Sequence, residues 1–207
     1  MQTFINDVVN DILSKTKNLS DHTFVLPSRR AGVFLKDQLK LSLKSPTILP
    51  KVISIEEFIA QLSSINLIDT TTLLFEFYFI YTKHTPTEKR ETFDQFSTWA
   101  TILLQDFNEI DRHLIDPNYI FSYLKDIQRF EELLEGEKKT DIINNRIQFF
   151  EKLETYYSAL RTHLLDKKIG YQGLQYREAS DNIYFFINSL QSNQITLVGF
   201  NALNKAE

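Results

Sequence analysis

The sequence predicts an α/β fold in which a small parallel sheet carries a large all-helical insertion. Two short apolar runs, residues 23–26 and 194–198, have the composition of buried strands. Turn residues follow each run, and the first run leads directly into a helical pattern, as in a βαβ unit. Between the α/β segments lies an insertion of roughly 120 residues with mainly helical periodicity. We therefore expect an α/β domain at residues 1–68 and 191–207 and a helical insertion subdomain at residues 69–190.

The last predicted strand is followed by turn residues and a candidate helix cap at Asn201 or Asn204, just before the chain stops. A strand that feeds a helix start is an unusual place for a domain to finish. We therefore expect the α/β domain to be incomplete at its C-terminal end, and the chain to be the N-terminal fragment of a longer protein.

The composition indicates a well-packed protein without thiol chemistry. Hydrophobic residues make up 43% of the chain, 17 residues are Phe, and Gly and Pro number only 5 each, which favours a large core and long helices. The absence of cysteine excludes disulfides and Cys-ligated metals, and it fits a reducing compartment, so we expect a cytoplasmic protein.

The N-terminal segment does not have the pattern of a signal peptide, because Asp7 and Asp11 interrupt its apolar residues. We expect no membrane association, because no run approaches the roughly 20 apolar residues of a membrane span.

The first part of the chain alternates helical and strand patterns. Apolar residues recur at helical spacing over residues 4–13, which predicts an opening amphipathic helix. A second helix, residues 28–43, follows the first strand and is expected to bury one apolar face. That face consists of Ala31, Phe34, Leu35 and Leu39.

A weak strand and a well-marked helix start come next. Residues 48–53 contain Pro50, which cannot donate to a sheet ladder, so this strand is expected at an edge or bent. Ser54 and Glu57 have the spacing of a capping box, in which the hydroxyl and the carboxylate each satisfy a backbone N–H. We therefore expect a third helix to begin at this point.

The first half of the insertion is predicted to be helical. Residues 69–83 combine a strand-like composition with helical length and spacing, which favours a helix. Residues 85–88 place a cap, a proline and a glutamate where a helix should begin. The helix that follows has a narrow apolar seam suited to packing against another long helix. The seam residues are Phe93, Phe96, Ala100, Leu103, Phe107, Ile110 and Leu114.

The second half of the insertion is predicted to contain three or four further elements. Asp116 caps a new helix, and the charged residues 131–139 predict an exposed loop. Residues 141–168 predict a second long helix that Gly170 terminates. One helix or a helix pair is expected over residues 171–190.

Several kinds of site are absent from the sequence. None of the five glycines precedes a lysine, so the chain has no phosphate-binding loop of the Gly-Lys-Ser/Thr type. The four histidines do not share helical metal-ligand spacing, and no nucleophile–base set is recognisable. We expect no catalytic residue, metal site or cofactor in this fragment, and the sequence leaves open whether the chain belongs to an enzyme.

Two polar groups in the insertion have alternative interpretations. Asp106, Glu109 and Asp111 suggest a metal site, but Asp111 diverges from the other two around a helix. This geometry favours a solvated helix face, with an acidic interaction surface as the alternative. A second group has aromatic, amide and guanidinium side chains that can stack on or bond to bases, or pack as a helix junction. Its members are Tyr171, Gln172, Tyr176 and Arg177.

The most informative polar segment is basic. The chain has a net charge of −4, yet residues 22–53 contain six Lys or Arg and one acid, a local charge of +5. Arg29 and Arg30 fall in the first turn of a predicted helix, where the helix dipole disfavours cations. Either an internal carboxylate or a nucleic-acid phosphate would compensate them. The candidate nucleic-acid-binding residues are Ser28, Arg29, Arg30, Lys36 and Lys51.

Five segments, taken in order, resemble the N-terminal region of AddB-like, PD-(D/E)XK nuclease family proteins. They are FVLPSRRAGVFLKDQL, PKVISIEEFIAQLS, FDQFSTWATILLQDFNEIDRHLID, GYQGLQYRE and ITLVGFNALNKAE. The resemblance covers essentially the whole chain. Its most specific blocks, as an ordered set, are LPSRRAG, LLQDFNEID and VGFNAL.

This resemblance implies a degenerate superfamily 1 helicase motor, which is a P-loop NTPase-like domain. In the family, the strand at residues 23–26 with Pro27, and the segment PKVISIEEF, are similar to segments that contact single-stranded DNA. The strand in ITLVGFNAL is similar to one that ends, in an active motor, in a Mg²⁺-binding acidic pair. Here Gly199 and Phe200 follow that strand instead. The resemblance therefore does not imply ATP hydrolysis by this chain.

The resemblance further implies a DNA-guiding module of an exonuclease that processes double-strand DNA breaks in recombinational repair. The implied partners are single-stranded or end-resected DNA, a helicase subunit of the AddA type, and a C-terminal nuclease part of the same chain. The nuclease carboxylates of the family, and the iron–sulfur cysteines of some members, lie far C-terminal to this region. An alternative is a helical protein-interaction scaffold that docks a helicase subunit without contacting DNA.

Overall fold

The computed structural model describes residues 3–16, 18–135, 141–189, 194–203 and 205–206, which fold as a mostly helical α/β protein. The helices are α1 (Phe4–Lys15), α2 (Arg29–Ser42), α3 (Ile55–Ser63), α4 (Thr70–His84), α5 (Phe93–Arg112), α6 (Pro117–Glu135), α7 (Asp141–Asp166) and α8 (Gln172–Ser189). The strands are β1 (His22–Leu26), β2 (Lys51–Ser54), β3 (Asn66–Leu67), β4 (Ile169–Gly170) and β5 (Gln194–Leu197). No helix in this described part of the chain is both long enough and apolar enough to cross a membrane.

The chain forms two compact units. One, which we call the sheet unit, comprises Met1–Ser63 and Glu178–Leu203. The other, which we call the helical unit, includes Ser64–Arg177.

The sheet unit is built on a parallel three-stranded sheet in the order β2-β1-β5. Thr23 pairs with Lys51 on one side and with Ile195 on the other. The prediction that residues 23–26 and 194–198 lie side by side in one parallel sheet is therefore confirmed. The edge position predicted for the strand near Pro50 is also confirmed, because β2 has β1 as its neighbour on one side only among the described strands.

The core of the sheet unit lies between the sheet and the helices α1 and α2. Gly32 of α2 lies close to β2, where an added Cβ would be 3.2 Å from Cγ1 of Val52. The predicted inner face of α2 is wrong at Phe34, which is 53% exposed. The fully or nearly fully buried apolar residues of this core are Val9, Ile12, Leu19, Phe24, Leu26, Leu35, Leu39 and Val198.

The helical unit has an aromatic core between α4, α5 and α7. Phe77 is fully buried, and its ring lies 5.2 Å from that of Phe96 and 5.9 Å from that of Tyr156. The helical interpretation of residues 69–83 is confirmed, with Asp69 as the N-cap of α4. The unit also contains a two-stranded parallel sheet, β3-β4, which the sequence did not predict.

The helix start predicted at residues 85–88 is wrong. A short 3₁₀ turn covers Thr87–Lys89, and α5 begins later, at a capping box formed by Thr92 and Gln95. Thr85 is buried, and its hydroxyl lies 3.0 Å from the Tyr156 hydroxyl. This threonine therefore bonds to a distant side chain instead of capping a helix.

Two further boundaries differ from the predictions. Residues 131–135 belong to α6 and not to a loop, since the Glu and Leu in this stretch are good helix formers; residues 136–139 lie outside the described part. Gly170 belongs to β4, and α7 ends before Lys168, which has a φ of 54°.

Two predictions near the C-terminal end have different outcomes. The helix or helix pair expected from residue 171 onward is the single helix α8. The described residues after β5 contain no helix for Asn201 to cap. Residue 190, the predicted end of that segment, and Asn204, the alternative cap, lie outside the described residues.

Candidate nucleic-acid interface

The turn from β1 into α2 presents the candidate residues Ser28, Arg29 and Arg30 to solvent. Ser28 has extended backbone angles, and its hydroxyl oxygen accepts a hydrogen bond of 3.2 Å from the backbone N–H of Ala31. This geometry confirms the predicted cap. The two arginines therefore occupy the first turn of α2, next to the positive end of the helix dipole.

The parallel register places other chain segments at the same edge of the sheet. Leu26 of β1 is level with Ser54 of β2, and Val25 is level with Leu197 of β5. The first turns of α2 and α3 and the residues after β5 thus all leave the carboxyl edge. In open parallel sheets, ligands bind at this edge.

Arg29 has an internal carboxylate partner. Its Nε lies 2.9 Å from Oε1 of Glu57, while the backbone N–H of Ser54 donates to Oε2 of Glu57 at 3.0 Å. The Ser54 hydroxyl accepts from the Glu57 backbone N–H, so the predicted capping box is confirmed and also supplies the ion pair. Because the Arg29 side chain is 80% exposed, this ion pair is a weak surface interaction that an anionic ligand can replace.

Arg30 has no ion-pair partner among the residues that the structure describes, and it is exposed. Its position beside Arg29 leaves a second, exposed cation at the carboxyl edge. A guanidinium in this state can form a bidentate contact with a phosphate group without first losing an internal partner.

Lys36 and Lys51 lie away from this cluster. Lys36 follows Arg29 by about two turns of α2, on nearly the same helix face and about 10 Å further along. Lys51 begins β2 at the amino edge, about 10 Å from Ser54, and its Nζ donates to Oε1 of Gln61 at 2.7 Å. The structure therefore brings together three of the five predicted positions, and the binding role of all five stays a prediction.

The second candidate group, on α8, is buried. Tyr171 and Tyr176 are 6% and 4% exposed, and the Arg177 side chain is 14% exposed. The alternative interpretation, in which these residues pack at a helix junction, is therefore confirmed for all three. Gln172 is exposed.

The partner of this group is Asp111, which is fully buried. Its Oδ1 accepts hydrogen bonds of 2.5 Å from the Tyr157 hydroxyl and from Nε of Arg177, and its Oδ2 accepts one of 2.5 Å from the Tyr171 hydroxyl. Nη2 of Arg177 donates to the carbonyl oxygens of Ile110 and Ile115. The prediction of a solvated acidic face is therefore wrong for Asp111, although Asp106 and Glu109 are exposed.

The network around Asp111 is structural. Burial, followed by the negative charge of Asp111, raises the pKa of both Tyr157 and Tyr171, so both hydroxyls remain protonated donors. The two tyrosine hydroxyls and Nε of Arg177 donate to Asp111, so these contacts join α5 to α7 and to the start of α8. One signal in the sequence could have revealed it: Asp111 follows Phe107 by four residues and Leu104 by seven, so it lies on the apolar face of α5.

Among the described residues, no three His, Asp or Glu side chains are grouped as a metal site would require. No protein-family model matches the chain, and no curated protein matches it.

Proposed function

We propose that this chain is the N-terminal, inactivated helicase-like module of an AddB-type exonuclease, and that it guides single-stranded or end-resected DNA during recombinational repair of double-strand breaks. In this proposal the degenerate motor belongs to the sheet unit, with the helical unit as its insertion. A helicase subunit of the AddA type and a C-terminal nuclease part of the same chain are the proposed protein partners.

Two independent features support the proposal. The ordered segments from LPSRRAG to VGFNAL resemble the AddB-like family, and the segment with LPSRRAG forms a strand–turn–helix unit in a parallel sheet. A degenerate helicase motor is expected to keep a parallel sheet whose first strand leads to a helix start that attracts anions. Gly199 and Phe200 come one residue after the end of β5, where an active motor would need an acidic pair, so the proposed role is DNA contact and not ATP hydrolysis.

The observation that carries the proposal is the exposed pair Arg29 and Arg30 at the carboxyl edge. Arg29 has a weak surface partner, and Arg30 has no ion pair within the described residues. Two adjacent guanidinium groups beside a helix N-terminus combine three features that attract phosphate: charge, bidentate donors and helix N–H groups.

The binding of a fluorescently labelled oligothymidylate by the 207-residue chain tests this function. In low salt, Arg29→Ala with Arg30→Ala should weaken binding about tenfold, which corresponds to ~1.4 kcal/mol for the pair. The control is Lys83→Ala with Lys152→Ala, which removes the same charge from the helical unit and should change the affinity by less than about twofold.

An affinity of the arginine double variant equal to that of the unmodified chain would exclude the proposed interface. Equal weakening in both double variants would also contradict it, because the effect would then follow net charge and not the carboxyl edge.

A further inference from the structure

A groove of about 580 Å³ opens on the helical unit where β3 and β4 end. Strand β3 continues into α4, and β4 continues into α8, so both strand ends and both helix starts border the groove. The two strand–helix junctions form two sides of the groove, and the second half of α5 forms the third side. The apolar lining consists of Leu67, Ile68, Leu73, Leu104 and Tyr171.

Strand β3 has one edge, beside this groove, that pairs with no strand in the described part of the chain. The backbone N–H of Asn66 donates to the carbonyl oxygen of Lys168, just before β4, and that of Ile68 donates to Gly170 of β4, at 3.0 Å each. In a parallel ladder, alternate residues bond to opposite sides, so the N–H and C=O of Leu67 point away from β4. Among the described strands β4 is the only neighbour of β3, and the Leu67 side chain is 54% exposed. An extended chain can therefore pair with Leu67.

The groove is acidic. Asp106 and Glu109 line it, and no Lys or Arg is among its lining residues. Asp106 has no ion pair within the described residues, and Glu109 lies 3.3 Å from His113, one turn along the same helix, at an exposed position. A ligand that fits this wall carries positive charge.

Buried and half-buried contacts hold the groove in shape. The Asn108 side-chain oxygen accepts a hydrogen bond of 2.7 Å from the backbone N–H of Gly173, and a Cβ added to Gly173 would lie 2.2 Å from the Asn108 backbone oxygen. Nε2 of Gln175 donates to the backbone oxygen of Ile65, the residue before β3, at 2.8 Å. The groove is thus formed before any ligand arrives, which lowers the entropic cost of binding.

We propose that this groove binds an extended peptide segment of a partner protein, which adds as a strand to the Leu67 edge of β3. An apolar side chain of the peptide fills the floor, and a neighbouring Lys or Arg pairs with Asp106 and Glu109. Backbone pairing supplies affinity in such complexes, while alternate side chains supply specificity. This inference does not rest on the DNA-guiding function, because its site and its ligand charge are different.

Two short peptides test the inference by solution NMR in the absence of DNA. One has alternating Lys and Val, and the other alternating Glu and Val. The Lys–Val peptide should bind with a Kd below about 1 mM and shift the backbone amide signals of Leu67 and Ile68. The Glu–Val peptide should not bind.

Charge reversal at one exposed position separates this site from general attraction. Asp106→Lys should weaken Lys–Val binding at least about fivefold. The matched control is Asp166→Lys, which makes the same charge change in the helical unit outside the groove and should leave binding unchanged.

Three results of the peptide experiments would overturn the inference, and a fourth result, self-association, would do so as well. They are no binding of the Lys–Val peptide near 1 mM, equal binding by both charge-reversed variants, or amide shifts confined to residues outside the groove. Self-association that Asp106→Lys abolishes, without peptide binding, would also overturn it and would identify a second copy of the chain as the occupant.

Discussion

The arginines of the two units have opposite environments, although both groups were candidate DNA contacts by sequence. The Arg29 side chain of the sheet unit is 80% exposed, and Arg30 beside it is exposed. The Arg177 side chain of the helical unit is 14% exposed and is bonded to Asp111, which has no exposed surface. Arg29 and Arg30 are therefore accessible to a ligand, whereas Arg177 donates its hydrogen bonds within the protein.

This contrast shows what separates a binding cation from a structural one. A surface ion pair contributes about 0–1 kcal/mol, so the pairing of Arg29 with Glu57 can be exchanged for a phosphate contact at little cost. A buried pair cannot be opened in this way, because each charge would remain in a low-dielectric interior. The comparison predicts that changing Asp111 damages the fold, while changing Arg29 and Arg30 affects only binding.

The largest effect is expected from Asp111→Ala. The change leaves the Arg177 guanidinium buried without its counter-charge and removes the acceptor of two tyrosine hydroxyls. We expect the free energy of unfolding of the helical unit to fall by about 3–5 kcal/mol. Urea unfolding followed by tyrosine and tryptophan fluorescence measures this change.

The control for that measurement is Asp106→Ala on the same helix. Asp106 is exposed, so its replacement should change stability by no more than about 0.5 kcal/mol. If the two variants were equally stable, Asp111 would not have the structural role that distinguishes the helical unit from the sheet unit.

A pair of glycine substitutions should give the next largest difference between the units. Gly173→Ala would place a Cβ 2.2 Å from the backbone oxygen of Asn108, which cannot move independently of α5. We expect a destabilisation of about 1–3 kcal/mol, measured by urea unfolding.

The matched substitution in the sheet unit is Gly32→Ala. The new Cβ would lie 3.2 Å from a Val52 side-chain methyl, which can shift by a few tenths of an ångström. The gain of about 0.5–1 kcal/mol from replacing a helical glycine offsets this contact, so we expect a net change below about 1 kcal/mol. A greater loss at Gly32 than at Gly173 would reverse the comparison.

A smaller effect is expected from pH. Burial alone would raise the pKa of Glu76, but hydrogen bonds from Lys167 and His163 outweigh it and lower the pKa below the ordinary value of 4.5. A carboxyl whose pKa is lower in the folded state stabilises that state above pH 4.5, and this stabilisation is lost as the pH falls below that value.

Glu76→Gln should therefore reduce the acid sensitivity of the helical unit, which unfolding curves recorded from neutral pH downward would measure. Glu56→Gln, which replaces an exposed carboxylate of the sheet unit, serves as the control. An unchanged pH profile for Glu76→Gln would show that the contacts of Glu76 with Lys167 and His163 do not contribute to stability.

Features determined by neighbouring residues could be predicted from the sequence. The Ser28 cap and the Ser54–Glu57 capping box depend on residues three apart. The pairing of β1 with β5 followed from two apolar runs and the preference of such strands for one sheet. The two-residue strands β3 and β4 escaped prediction because they are too short to show an alternating pattern.

Features that depend on distant residues could not be predicted. Tyr157, Tyr171 and Arg177 are 46, 60 and 66 residues from Asp111 along the chain. Within the candidate interface, the basic residues were recognisable, but the pairing of Arg29 with Glu57 and the separation of Lys51 from the carboxyl edge depend on the folded sheet.

The salt dependence of single-stranded DNA binding tests the central claim most directly. If Arg29 and Arg30 each contact a phosphate, the slope of log Kd against log salt concentration should decrease by about 1.4 in the double alanine variant, at ~0.7 per contact. Parallel lines for the variant and the unmodified chain would show that the two arginines displace no counterions from DNA, and would contradict the proposed interface.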